Sequence, residues 1–252
     1  MSETTIPKII HYCWFGGNQK PELILKCIDS WKKYMPEYEI IEWNEKNYDV
    51  TKSAFIKEAY QAKKWAFVSD YARFDIIYHY GGIYFDTDVE LLKPIPEKIL
   101  SHIPFTGFEC AGTVNPGLIY ADRPENHITK QILDQYNARH FLVDGVPKLI
   151  TVNQIVTEIL KPYGLIQNNK FQTVNDLTIY PSSYFCGFDQ DVKEIDIREN
   201  TISVHHYAGT WTKRTWRQIL RQYIKKIFGV DGYRAMLNVY RKARRFFAGK
   251  RK

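Results

Sequence analysis

Asp86-Thr87-Asp88 closes a short apolar run, Ile83-Tyr84-Phe85, that follows two glycines, Gly81 and Gly82. In an extended chain alternate side chains share a face, so the two carboxylates are expected on one side of a strand end. Like charges held that close favour a cation between them. Hard oxygen ligands suit Mn2+ or Mg2+, which complete their coordination with water and phosphate oxygens. The chemistry implied is a divalent ion set to grip a diphosphate. A polar turn would present the same three residues. The apolar strand and the double glycine in front are what give the stretch its weight.

Phe67 to Tyr80 repeats apolar residues at 67, 71, 74, 77 and 78. That is a helical period, and Gly81 and Gly82 end it. Asp70 and Arg73 lie three residues apart and are neighbours on one helix face. A surface ion pair worth about 0.2–0.5 kcal/mol has this spacing. The functional alternative aims both side chains at sugar hydroxyls or phosphate beside the metal.

Together, Ser69-Asp70-x-x-Arg73 and Gly81-Gly82-Ile83-Tyr84-x-Asp86-x-Asp88-Val89 resemble the DXD-containing sugar-binding region of glycosyltransferase family 32. Yeast mannosyltransferases and bacterial capsule and lipopolysaccharide transferases belong to that family, and the large clostridial toxin glucosyltransferases are distant relatives. Ile6-Pro7-Lys8-Ile9-Ile10-His11-x-x-Trp14 is similar to the family's first strand. His205-His206-Tyr207-Ala208-Gly209-Thr210-Trp211 resembles its C-terminal motif, with Thr210 where many relatives have Ser. The three motifs span residues 6 to 211.

The resemblance implies an α/β, GT-A-type, Rossmann-like nucleotide-sugar-binding fold. It also implies Mn2+ or Mg2+ and a nucleotide-sugar donor, a UDP-sugar in preference to GDP-mannose. Asp70, Arg73, Asp86 and Asp88 are then the catalytic set. Cys13 and Trp14 end the first strand beside Gly16 and Gly17, and Trp14 is expected to stack on the base, as aromatic rings do. Asn44 is a candidate for a ribose or base contact, with a turn cap as the equal alternative. Tyr84, Asn115 and Gln154 are placed at the donor. Asn115 stands where relatives have a Ser-Asn-Ala-like segment, with a contact to the transferred sugar and a turn cap as its two alternatives. Gln154, in Thr151-Val152-Asn153-Gln154, takes the place of a missing Thr-Gly-Pro segment.

Metal ligands are expected to be Asp86 and Asp88 with His205 or His206. Adjacent strand residues face opposite sides, so one histidine points into the site. The spacing from His206 to Gly209 resembles that of a metal histidine in related transferases and leans toward His206. Trp211 is expected to close over the donor or to pack the metal loop, and the Thr210 hydroxyl to keep a phosphate or water contact. Characterised relatives retain anomeric configuration, and front-face attack is favoured here because the named carboxylates have other roles.

The elements that must position these groups alternate. Strands are expected at 6–14, 38–43, 83–85, 117–121, 170–180 and 201–207. Helices are expected at 21–35, 52–64, 67–80, 126–138 and 151–160. Such alternation argues an α/β fold with a largely parallel sheet, in which ligands bind beyond the strands' carboxyl ends. The 252 residues are 44% hydrophobic and 15% aromatic, enough for one substantial domain. No run of 18 apolar residues exists, and the polar N-terminus does not read as a secretory signal. Cys13, Cys27, Cys110 and Cys186 show no metal spacing and are expected to be reduced thiols in the cytoplasm.

Charge divides the chain into a catalytic domain, 1–212, and a basic amphipathic helical tail, 213–252. The tail holds fourteen Lys or Arg against one acidic residue, Asp231. Its apolar stripe, with Trp216, Ile219, Tyr223 and Ile227, suits an anionic membrane surface or docking on the acidic body. No nucleic-acid reading motif accompanies the charge. The expected acceptor is a glycan, lipid-linked, at the inner face of the cell membrane. A metal-dependent phosphohydrolase is the rival enzyme class, and a nucleic-acid-binding protein acting through the tail is the rival outside enzymes. The sequence does not address oligomeric state.

Overall fold

The structure is a computed structural model that describes residues 6–110, 112–189, 192, 194–208 and 216–249. In chain order its elements begin with β1 Ile9–Cys13, α1 Glu22–Tyr34, β2 Glu39–Trp43, α2 Ala54–Gln61, α3 Trp65–Tyr80, β3 Gly82–Tyr84 and β4 Val89–Leu91. There follow α4 Glu97–Leu100, β5 Phe105–Cys110, β6 Thr113–Val114, β7 Tyr120–Asp122 and α5 His127–Asn137. Next come β8 Leu142–Val143, β9 Val146–Pro147, α6 Val152–Leu160, β10 Gln172–Val174, β11 Leu177–Tyr180 and α7 Ser182–Phe185. Last are β12 Phe188–Asp189, β13 Glu194–Ile195, β14 Ser203–His205 and α8 Trp216–Gly249. The chain forms two compact units, Met1–Phe188 with Asp196–Ala208, and Asp189–Ile195 with Gly209–Lys252.

The first unit is built on an eight-stranded sheet in the order β10-β11-β5-β7-β3-β1-β2, with β6 paired to β5. The sheet is mixed, not largely parallel. β1 runs parallel to β2 and β3, and β5 parallel to β11, while β7 lies antiparallel between β3 and β5. The carboxyl ends of β1, β2, β3, β5 and β11 therefore share one edge.

Strand alternation sorts the core into two layers. Tyr84, Tyr120 and Ile179 join Phe67, Phe74 and Tyr136 from α3 and α5 on one face. Ile83, Phe85 and Tyr180 join Ile24, Ile28 and Trp31 from α1 on the other. Between Phe67 and Ile77, α3 is buried on every side, the character of a helix in a protein core rather than on its surface. That is why its charged residues cannot be surface ornaments.

Gly82 sits at φ 96°, and a Cβ there would meet the Ile9 carbonyl at 2.6 Å. Glycine thus lets β3 leave α3 and close directly against β1. His11 completes this join. Trp43 Nε1 donates to its Nδ1 at 3.0 Å, so its Nε2 carries the proton toward the Gly81 carbonyl at 2.9 Å. Burial pushes the imidazole down to about 4, against the Gly81 hydrogen bond, which keeps it neutral at physiological pH.

Candidate active site

Trp31 fixes the segment that bears the two aspartates. Its ring stacks on Phe85 at 5.4 Å, and its Nε1 donates to the Val89 carbonyl at 2.8 Å. β3 ends at Tyr84, and the chain turns where Val89 N donates to the Asp86 carbonyl at 3.1 Å. The expectation that Asp86 and Asp88 share a face through strand alternation is thus corrected, because a turn rather than extended chain separates them. Asp86 is engaged by α3 and Asp88 by β14.

Arg73 Nη2 donates to Asp70 Oδ1 and to Asp86 Oδ1, each at 2.9 Å. Asp70 is 8% and Arg73 2% exposed, so the pair is no surface bridge. Tyr84 adds its hydroxyl to Asp86 Oδ1 at 3.2 Å, with the guanidinium 4.8 Å from its ring. Burial pushes Asp70 up to about 7 against Arg73 and the Val152 N–H, while Asp86 adds to the rise. Val152 opens α6, whose start carries a capping box between Thr151 and Gln154. Among the described residues Arg73 Nη1 is buried with no hydrogen-bond partner. One guanidinium thus ties the helix to the strand end and holds a nitrogen in reserve.

Asp88 faces β14, which pairs antiparallel with β4. His205 Nε2 stands 3.0 Å from Asp88 Oδ1, and Ala208 N donates to Asp88 Oδ2 at 2.9 Å. Burial raises Asp88, but the His205 charge and hydrogen bond and the Ala208 N–H outweigh it and hold the carboxyl at about 2. Burial lowers His205, yet Asp88 raises it more, so its net shift is upward. His206 turns the other way and meets Glu90 at 2.8 Å, where Lys26 also binds at 2.9 Å. The sequence leans toward His206 as the metal histidine; in the fold His205 is the residue on Asp88 and His206 is the one on Glu90.

The other expected donor residues are spread along the same edge. Cys13 is buried, and burial pushes its thiol up to about 12, so it packs as an inert neutral group. Trp14 is half-buried and donates from Nε1 to the Asn18 carbonyl at 2.7 Å. Asn44 spends its side chain on a turn, accepting from Lys46 N and donating to Glu42. Asn115 is buried and accepts from Gly117 N at 2.8 Å. Gln154 is committed to the α6 cap, a contribution of about 1 kcal/mol. Thr210 and Trp211 lie outside the described residues.

Sequence reasoning missed Glu109, at the carboxyl end of β5. Asn153 Nδ2 donates to it at 2.8 Å, and the Tyr207 hydroxyl bonds to it as well as meeting Cys186 Sγ at 3.3 Å. The Tyr207 ring lies 4.0 Å from that of His205. A lone Glu between apolar and Cys residues carries no spacing signal. Its position at the shared strand edge could have flagged it.

Two carboxylates and an imidazole are a donor set that Mn2+ accepts, and Mg2+ is held by one or two carboxylates plus water and phosphate. Among the described residues His205 Nδ1 is buried without a hydrogen-bond partner, so the ring has a nitrogen to offer. Among the described residues no group of three His, Cys, Asp or Glu side chains stands placed to hold a metal ion. An ion here would therefore rest on one or two of these side chains, with water and donor phosphate oxygens completing its coordination.

Residues 21–106, which contain Asp70, Arg73, Asp86 and Asp88, match the family described as "Glycosyltransferase sugar-binding region containing DXD motif". This stretch is thus similar to a DXD-type glycosyltransferase sugar-binding region. Inositol phosphoceramide mannosyltransferase 1 of Schizosaccharomyces pombe is 31% identical over 111 residues, 40% of this chain and 33% of that protein. Subversion of eukaryotic traffic protein A of Legionella pneumophila is 24% identical over 130 residues, 41% of this chain and 20% of that protein. The chain spans a third or less of these relatives' length. Among solved structures, the PaToxG glycosyltransferase has a TM-score of 0.44 at 18% identity, covering 62% of this chain and 68% of that one. A glycosyltransferase involved in glycosylation of the major capsid of PBCV-1 has a TM-score of 0.48 at 15% identity, covering 86% and 100%. The matched segment takes in α3 and the Asp86–Asp88 turn, while β1 and β14 lie outside it.

Proposed function

We propose that the protein is a metal-dependent, retaining glycosyltransferase. It moves a hexose from a nucleotide sugar, a UDP-sugar in preference to GDP-mannose, to a bacterial cell-surface glycan precursor. The observation that carries this reading is the buried Asp70–Arg73–Asp86 bridge beside the Asp88–His205 pair, at the edge where strand carboxyl ends meet. One or two of Asp86, Asp88 and His205 would hold Mn2+ or Mg2+. When bound, such an ion neutralises charge on the departing diphosphate.

The chain's own residues supply orientation. Arg73 is locked between two carboxylates and 3% exposed at its side chain, so it presents a fixed cation that needs no reorganisation. Asp70 accepts sugar hydroxyls and, with Arg73, turns the anomeric carbon toward the acceptor. Trp14 flanks the donor, and Tyr84, buried in the core, seats Asp86. Glu109 and Asn153 offer hydrogen bonds on the β5 side of the edge, where acceptor hydroxyls would approach. Front-face attack keeps the anomeric configuration without assigning any carboxylate a covalent role. The basic, aromatic C-terminal segment agrees with a lipid-linked acceptor.

The test is release of nucleoside diphosphate from a panel of UDP- and GDP-sugars with Mn2+, Mg2+ or EDTA. An Asp88→Ala protein runs alongside, and sugar-transfer products are sought on glycan acceptors. Turnover of one donor that needs metal and Asp88, together with a transfer product, supports the transferase. Hydrolysis that no acceptor converts to transfer points to a phosphohydrolase. No turnover and no nucleotide binding would sink the proposal.

A further inference from the structure

We infer that α8 docks on the surface of an anionic lipid bilayer. The inference stands apart from the transferase reading, because it concerns only the second compact unit. α8 bends at Gly229, where φ is 70° and ψ 173°. The bend leaves one limb before the glycine and another after it.

Both limbs carry large apolar side chains in the open. Leu220, Tyr223, Ile227, Phe228, Val239 and Tyr240 are each between 50% and 68% exposed. Leu220, Tyr223 and Ile227 follow helical spacing and form one stripe. Apolar area left in water is unfavourable in proportion to its size, and a contiguous exposed patch marks an interaction surface.

Charge selects the occupant. Residues 213–252 carry fourteen Lys or Arg and one acidic residue. Of the basic residues, Lys225 pairs with Glu194 of the same unit, and Arg234 lies 3.3 Å from Asp189 and 3.0 Å from Asp231. By composition, fourteen basic residues against one acidic residue leave this segment a formal excess of thirteen positive charges. A second copy of the helix would bring two strongly positive segments together, which repel. Duplex nucleic acid would attract the charge but give the exposed Ile and Leu nothing apolar to enter. An anionic bilayer answers both features: its headgroups take Lys and Arg, and its acyl boundary takes the aromatic and aliphatic stripe. No described helix is long and apolar enough to cross a membrane, so the helix lies on the surface.

The experiment is flotation of the full chain with phosphatidylcholine vesicles, with and without phosphatidylglycerol. Light scattering and duplex-DNA binding are measured on the same samples. The unaltered chain floats only with phosphatidylglycerol, and less so at high salt. Tyr223→Ser with Ile227→Ser, and separately Lys226→Glu, lower the bound fraction, the double variant by ~10-fold or more. Both variants alter exposed residues, and circular dichroism confirms that they fold. Equal flotation with neutral vesicles, or none with either, overturns the inference. So does a dimer that Ile227→Ser dissociates without lipid being bound, or retention on DNA in place of vesicles.

Discussion

Gly117 lies so close to Asp86 that a Cβ at position 117 would stand 2.0 Å from Asp86 Oδ2 and 3.0 Å from Asn115 Oδ1. The Gly117 carbonyl also accepts from Asp86 N at 2.9 Å. Gly117→Ala must therefore push the carboxylate off its seat on Arg73. Overpacking of this kind costs about 1–3 kcal/mol, and misplacing a reacting group costs about 100-fold in rate. We expect a folded protein with nucleotide-sugar turnover lower by that order. Wild-type turnover in Gly117→Ala would show that the seat of Asp86 is irrelevant.

Arg73 reaches two carboxylates from one nitrogen. A lysine keeps the charge but not the planar fork, so Arg73→Lys should lose most turnover while folding. Arg73→Met strips the buried acids of their counter-ion and should lower stability by about 3–5 kcal/mol. Urea unfolding read beside nucleotide release separates the two effects. A stable, active Met variant would contradict the bridge.

The two histidines should behave differently. Asp88, held at about 2, is ionised throughout the neutral range and needs no deprotonation to take a cation. His205→Gln should raise the Mn2+ concentration needed for half-maximal turnover by about 10–100-fold, the usual cost of a disturbed metal shell. His206→Gln, on Glu90 instead, should leave it within a few-fold. Mn2+ titrations of donor hydrolysis check this, and the opposite ranking would return the role to His206.

Asp122 gives a pH signature away from the site. It is fully buried, accepting from Thr129 and from Arg123 N. Burial pushes it up to about 7 against those hydrogen bonds. Between its ordinary value near 3.8 and about 7 the folded chain holds a proton that the unfolded chain has released. Its contribution to stability is thus full at low pH and falls as pH rises through that window. Asp122→Asn mimics the neutral form and should not show the fall. The melting temperature of the variant relative to wild type should climb from pH 5 to pH 7.5 and then level off. Parallel curves would refute the raised carboxyl.

Much of this was legible in the residues. The α3 stripe, the Gly81-Gly82 stop and the Asp-x-Asp run fall where their spacing put them, because local periodicity and glycine chemistry decide them. The antiparallel β7 was not legible, since strand direction is set by which neighbour lies alongside, not by composition. For the same reason the turn at Asp86 was read as extended chain. Asn44 and Gln154 had local uses, a turn and a capping box, that short-range spacing foreshadows, and the folded chain spends both side chains on them. Glu109 was invisible because it reaches Asn153 only through the fold, from a strand and a helix 44 residues apart.

β14 is held on both sides: Ser203 pairs with Leu91, and His205 N donates to the Cys186 carbonyl. The two imidazoles go to different carboxylates, His205 to Asp88 and His206 to Glu90. The register sets His205 beside Val89, so strand pairing alone does not carry its ring to Asp88. The turn in which Val89 N reaches back to the Asp86 carbonyl sets Asp88 just ahead of the paired residues. The clamp on β14 and the turn before β4 therefore act as one gauge, and a residue gained or lost in either would hand Asp88 a different side chain.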